Sequence, residues 1–91
     1  MDKILKHAEI SAQLTEIYKA KNHDYGDSFG KMFVELGIIT ALTRIGDKFE
    51  RLKTLAVNQN QEVKDESIKD TLSDMANYCI MTLIEMENNN K

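Results

Sequence analysis

Apolar residues return along this chain in three stretches with helical spacing, separated by polar segments. Ile4, Ala8, Leu14, Ile17 and Tyr18 collect on one side of a helix with about 3.6 residues per turn, which predicts a first helix over about 2–20. Residues 21–28 replace that period with polar side chains and a glycine, and are predicted to form a loop. The pattern resumes with Val34, Ile38, Ala41, Leu42, Ile45, Phe49, Leu52 and Ala56, a second helix over about 31–56 in which Gly37 and Gly46 mark sites for a kink or a close crossing. Residues 57–64 carry no apolar period and read as a connection. A third helix, over about 65–87, is expected to start with Asp65 as its N-cap and Glu66 in its first turn. Its main stripe, taken as the core face, is Ile68, Leu72, Met75, Ala76, Cys79, Leu83 and Met86. The Asn-rich end, residues 87–91, is expected to fray.

The predicted fold is therefore all-α: one domain spanning residues 1–91, a three-helix unit with a short tail. Tyr78, Met81 and Ile84 lie on the side of the third helix away from its main stripe, so its second half is apolar nearly all round. Such a helix needs cover that a chain of 91 residues does not easily supply, and the unit is expected to assemble with copies of itself into a helical-bundle oligomer.

Composition narrows the classes. With 42% hydrophobic and 30% charged residues and no proline, the chain has the make-up of a globular helical protein. Its apolar runs are too short to cross a bilayer, and no membrane partner is expected. A single cysteine, Cys79, cannot close an intrachain disulfide and is read as an inert core thiol. With no apolar leader at the amino terminus, a cytoplasmic location follows as the expectation. A net charge of −3 argues against a long nucleic acid as partner, while leaving room for local grip on a small phosphate ligand.

Three polar groups carry candidate chemistry. Lys21, Asn22, His23, Asp24 and Tyr25, followed by Gly26, Asp27 and Ser28, supply a cation, an amide, an imidazole, carboxylates, a phenol and a hydroxyl. They form either a binding loop or a solvated turn in which Gly26 takes positive φ and Asp24 or Asp27 caps the next element. Arg44, Asp47, Lys48 and Arg51 lie along one flank of the second helix, beside its apolar stripe. They read either as phosphate-binding groups at a groove edge or as surface ion pairs. Glu66, Asp70 and Asp74 recur every fourth residue and would repel one another without a positive partner. That partner is either the second-helix cations or a divalent ion such as Mg²⁺, which favours carboxylate oxygens. Asn77 and Tyr78 follow on the same helix, where Tyr78 either stacks on a base or packs as core.

Taken in order, Lys21-Asn22-His23-Asp24-Tyr25-Gly26-Asp27-Ser28, Arg44-x-x-Asp47-Lys48-x-x-Arg51 and Asp65-Glu66-Ser67-x-x-Asp70-x-x-x-Asp74-x-x-Asn77-Tyr78 resemble the bacterial and bacteriophage family called nucleotide modification associated domain 1. The resemblance implies a phage or prophage origin, hence a host cytoplasm, and a role connected with nucleotides. More distantly, the acidic third helix is similar to that of the MazG-like all-α nucleotide pyrophosphatases, helical oligomers that hold Mg²⁺ at a triphosphate. Here the E-x-x-E pair of those enzymes is represented at best by isolated Glu35, or by Asp47 and Glu50, and their E-x-x-D is stretched to Glu66-x-x-x-Asp70.

The expected function is binding of a nucleotide or cyclic-nucleotide-like small molecule, for nucleotide metabolism or to sequester a signalling nucleotide. Lys21, Arg44, Lys48 and Arg51 would meet phosphates, with Asp47 orienting the arginines. Asn22, Asp24 and Asn77 would address sugar or base, Tyr25 would stack, and His23 would stand beside them. Two alternatives are a Mg²⁺-dependent nucleoside triphosphate pyrophosphohydrolase using Glu66, Asp70 and Asp74 as metal ligands, and a protein-binding adaptor without catalysis.

Overall fold

The structure, a computed structural model, describes residues 1–57 and 61–88, and of residues 61–64 the backbone only. Within these residues there are four helices and no strand: α1 (Lys3–Tyr25), α2 (Ser28–Leu36), α3 (Ile38–Ala56) and α4 (Gln61–Asn88). The all-α expectation holds, and the boundaries change in three places.

The polar segment after the first helix is mostly not a loop. Helical backbone continues through Tyr25 and breaks only at Gly26, whose φ of 70° and ψ of −163° fall in a region open almost exclusively to glycine. Asp27 follows as the N-cap of α2, its carboxylate accepting from the Gly30 N–H at 3.2 Å. A Cβ at position 30 would press on that carboxylate, so glycine is needed for the cap to close.

The predicted second helix is two helices. Gly37, with φ 66° and ψ −144°, turns the chain between α2 and α3, while Gly46 sits inside α3 without a break. The Gly37 N–H donates to the Phe33 carbonyl at 2.7 Å, and the Thr40 hydroxyl donates to the Met32 carbonyl at 3.1 Å, which ties the corner together. Val34 therefore belongs to α2 and not to the stripe of α3.

At the third boundary, α4 begins at Gln61, ahead of Asp65, so Asp65 lies inside the helix and is not its N-cap. Of the predicted connection, residues 58–60 lie outside the described residues, as do residues 89–91 of the predicted tail.

The most extensive packing is between α3 and α4. They run antiparallel: Lys48 reaches Asp74, and about two turns away along α3 Ala41 packs in a cluster that includes Tyr78 and Met81. The buried centre of that cluster is Phe29, Phe33 and Ala41, with Ile45, Tyr78 and Met81 against it. Phe29 contacts both Phe33 and Tyr78 in tilted ring pairs, at centroid distances of 6.2 and 5.8 Å.

This arrangement reverses the expected core face of α4. Tyr78 and Met81, placed away from the core by the sequence, are in it, whereas Leu72, Leu83 and Met86 are exposed and so is the thiol of Cys79. The seam of α4 instead carries Thr71 and Thr82, both buried. Their hydroxyls donate to the Ser67 and Tyr78 carbonyls one turn back, at 2.7 and 2.6 Å, so two small side chains permit close approach without leaving a polar atom unsatisfied. The same split runs along α3: Ala41 of the predicted stripe is buried, and so is Leu55 from outside it, while Ile38, Leu42 and Phe49 of that stripe are exposed.

Candidate functional site

Extending α1 to Tyr25 has a direct effect on the polar segment. In a helix, Tyr18, Lys21, Asn22 and Tyr25 share one face at spacings of three, four and seven. Asp74, Asn77, Tyr78 and Met81 repeat that spacing on α4. The two faces meet along a pocket of about 280 Å³, which Arg44 of α3 also lines, together with Gly26, Asp27, Ser28 and Phe29 from the α1–α2 junction. Phe29 and Tyr78 bring aromatic surface to it, and Tyr25 stands largely exposed at its edge.

Asp74 is the electrostatic hub. Its carboxylate, 24% exposed, takes the Lys21 ammonium at 2.9 Å on one oxygen and the Lys48 ammonium at 3.2 Å on the other, linking α1, α3 and α4. Partial burial pushes the Asp74 carboxyl up, but the hydrogen bonds and charges of Lys21 and Lys48 outweigh it and hold the group below the usual carboxylate range. The hydrogen bond to Asp74 raises the Lys21 ammonium above its ordinary value, against the opposing pull of its own partial burial. Beside this hub, the Asn77 side-chain amide donates to the Leu14 carbonyl at 3.1 Å and leaves its oxygen as an acceptor. Arg44 has no carboxylate partner among the described residues, so its guanidinium retains its full set of donors.

Of the residues singled out in the sequence, Lys21, Asn22, Tyr25, Arg44, Asp74 and Asn77 line this pocket, and Lys48 reaches it through Asp74. Asp70 lines a neighbouring cleft with Ile17, Lys21, Ser73 and Asp74. His23 and Asp24 pair with each other at 3.3 Å, both exposed, and do not line the pocket. Asp47 and Arg51 are exposed on α3, and Glu66 on α4, and none of the three lines it. Among the described residues no three His, Cys, Asp or Glu side chains are gathered around one point where an ion would touch them all.

Tyr18, Phe29 and Met81 were not read as site residues. The spacing shared by residues 18, 21, 22 and 25 would have pointed to Tyr18, had Lys21–Tyr25 been read as helix. For Phe29 and Met81 no sequence signal separates pocket lining from core, because they serve as both.

The fold and the pocket define a class: a small all-helical protein whose polar site is built where α1, α3 and α4 meet the start of α2. Within that class, the family model of nucleotide modification associated domain 1 matches residues 21–86, and the chain belongs to that family. The matched segment contains every pocket-lining residue except Tyr18. No curated protein and no solved structure gives a significant match.

Proposed function

We propose that this pocket binds a nucleotide or a nucleotide-derived small molecule. The observation that carries the reading is the convergence of three sequence-distant motifs, at residues 21–28, 44 and 74–78, on one pocket within a chain of a family named for nucleotide modification. Arg44 takes the phosphate, since a guanidinium free of carboxylates offers phosphate oxygens a paired set of donors. Asn22 and the open oxygen of Asn77 address base or sugar edges, and Tyr25 stacks on the base. Lys21 and Lys48 position Asp74 and add positive potential behind Arg44. At about 280 Å³ the pocket is at the small end of ligand sites, the scale of a mononucleotide and not of a longer nucleic acid.

A thermal-shift or calorimetric panel of nucleosides and nucleoside mono-, di- and triphosphates tests the reading. A ligand present at 100 times its dissociation constant adds about 2.7 kcal/mol of stability. If no member of the panel stabilises the protein, the reading falls.

A second reading, Mg²⁺-dependent hydrolysis, uses the cleft where Asp70 adjoins Asp74 and requires the ion to displace Lys21 from the Asp74 carboxylate. In it water attacks the α-phosphorus of a nucleoside triphosphate, the bond to the bridging oxygen breaks, and monophosphate and pyrophosphate leave. Asp70→Asn would then abolish turnover while leaving metal-free binding intact. Recovery of every nucleotide unchanged after incubation with Mg²⁺ would sink this reading and leave the binding one standing.

A further inference from the structure

The apolar side chains left open on α3 and α4 form one surface. On α4, the exposed Leu72, Cys79, Leu83 and Met86 fall within an arc of about 60° at about 100° per residue, with the half-buried Ile68 and Met75 beside them. On α3, Ile38, Leu42 and Phe49 fall within an arc of about 40°. Each arc is displaced in the same rotational sense from the seam where the two helices meet. In an antiparallel pair, flanks displaced in the same sense lie on the same side, so the two arcs adjoin. The polar residues Arg44, Asp70, Asp74 and Asn77 are displaced in the opposite sense, on the side that α1 and the start of α2 occupy. The open surface is thus a continuous apolar face on the back of the site. Its members are far from marginal: Leu42 is 62%, Leu83 61% and Phe49 51% exposed.

The area involved says what covers it. A folded monomer of 10.4 kDa is expected to expose about 5,400 Å², whereas this chain exposes 7074 Å², an excess of about 1,700 Å². A standard interface takes about 800 Å² from each partner, and obligate homodimers bury about 2,000–5,000 Å² in total. The excess belongs to the whole chain, including α1 with Ile4 85% and Leu5 57% exposed, and a share of about 800 Å² from the α3–α4 face of each copy makes a standard interface. The radius of gyration agrees, at 14.8 Å against about 12 Å for a globular chain of this length.

We infer that two copies of this chain associate through the α3–α4 apolar face, around Ile38, Leu42, Phe49, Leu72, Leu83 and Met86. The association is isologous, each copy presenting the same patch. Both pockets then face away from the interface and stay open to ligand. A loose apolar surface on one helix is ordinary, but an α4 arc that carries no charge between Ile68 and Met86 and adjoins one on α3, with Asp65 and Lys53 at the rim, is the kind of patch that marks an interface.

Light scattering of the purified full chain across the micromolar range tests this. Twice the 10.4 kDa chain mass is expected, and a mass that stays at one chain overturns the inference, whatever other partner the face then serves. Leu42→Glu and Leu83→Glu each place a carboxylate in the face and are expected to shift the population to single chains. Ile4→Glu, at a still more exposed apolar position on α1, leaves the assembly intact. The reverse pattern places the interface on α1 and overturns the assignment. Two readouts on the unaltered chain do not depend on a variant folding. Its melting temperature rises with protein concentration if the chain dimerises, and a flat response counts against it. Alkylation of Cys79, the single cysteine, slows as concentration rises because the thiol lies in the face, and a concentration-independent rate excludes this surface as the interface.

Discussion

On one side of the α3–α4 pair, α1 and the start of α2 cover Tyr78, Met81 and Ala41 and leave between them a pocket edged by Lys21, Asn22, Arg44 and Asn77. On the other side, Ile38, Leu42, Phe49, Leu72 and Leu83 come from the same two helices and stay about half exposed or more, Phe49 with the Lys53 ammonium 5.5 Å from its ring centroid. The covered side contains the pocket-lining charges and amides, whereas on the bare side Lys53 and Asp65 stand at the rim of an apolar middle. Cover from inside the chain brings helix ends, caps and junctions with it, and those supply backbone breaks, amides and charged side chains at defined positions. A bare apolar flank supplies surface without defined polar positions. The difference separates two properties that a helical periodicity merges: being apolar and being inside.

Substitutions at matched positions on the two sides test that separation, and the largest effect belongs to the covered side. Phe33→Ala empties a buried aromatic site and is expected to cost about 3–5 kcal/mol in urea denaturation. The same truncation at Phe49 on the bare side costs much less within one chain and acts instead on assembly. Equal costs at the two positions would erase the distinction.

Next comes Gly26→Ala, which forces a side chain into a backbone region held by glycine. It is expected to lower stability by about 1–3 kcal/mol and to disturb the pocket by displacing Asp27.

Asp74→Asn removes the charge that Lys21 and Lys48 share, with an expected loss of about 1–2 kcal/mol after allowance for the solvent exposure of Lys21. Its pH dependence has a definite sign. Because the folded-state value of Asp74 is depressed, its contribution is present above the ordinary 3.8 and is lost as pH falls through the lowered value. Melting curves from pH 7 downward should therefore converge for wild type and Asp74→Asn in strong acid. The raised Lys21 works the other way: its share is complete below the ordinary 10.5 and is lost as pH climbs past the raised value.

The smallest change in stability is expected for Arg44→Ala, within about 0.5 kcal/mol, since this exposed side chain has no protein partner among the described residues. Nucleotide affinity should nonetheless drop about 10- to 100-fold, the equivalent of one charge-assisted contact of roughly 1.5–3 kcal/mol. A calorimetric titration that finds wild-type affinity in this variant would take Arg44 out of the site.

Much of this molecule was legible without coordinates. Helical period, the absence of proline and the glycines at 26 and 37 predict an all-α chain with breaks near the right places. The alternative of positive φ at Gly26 with Asp27 capping the next helix describes the junction as it is. Residues 21–25 read as loop because polar composition looks the same in a loop and on a pocket-facing helix. The shared spacing of 18, 21, 22 and 25 with 74, 77, 78 and 81 becomes visible only once both stretches are helical.

By itself, then, the sequence determined the helical elements, the residues able to carry charge and hydrogen bonds, and the family to which their order points, because these follow from local propensity and residue chemistry. Tertiary structure alone decided which flank of α4 meets α3, that Asp74 is held between Lys21 and Lys48, and that Asp47, Arg51 and Glu66 lie outside the pocket. The reason is physical. α4 is apolar on opposing arcs over its second half, so its period alone does not choose between them. The choice rests on side chains supplied by other helices: Phe29 and Phe33 from beyond the Gly26 turn, and the close approach permitted by Thr71 and Thr82. Those contacts join residues far apart along the chain, and no period within a single helix encodes them.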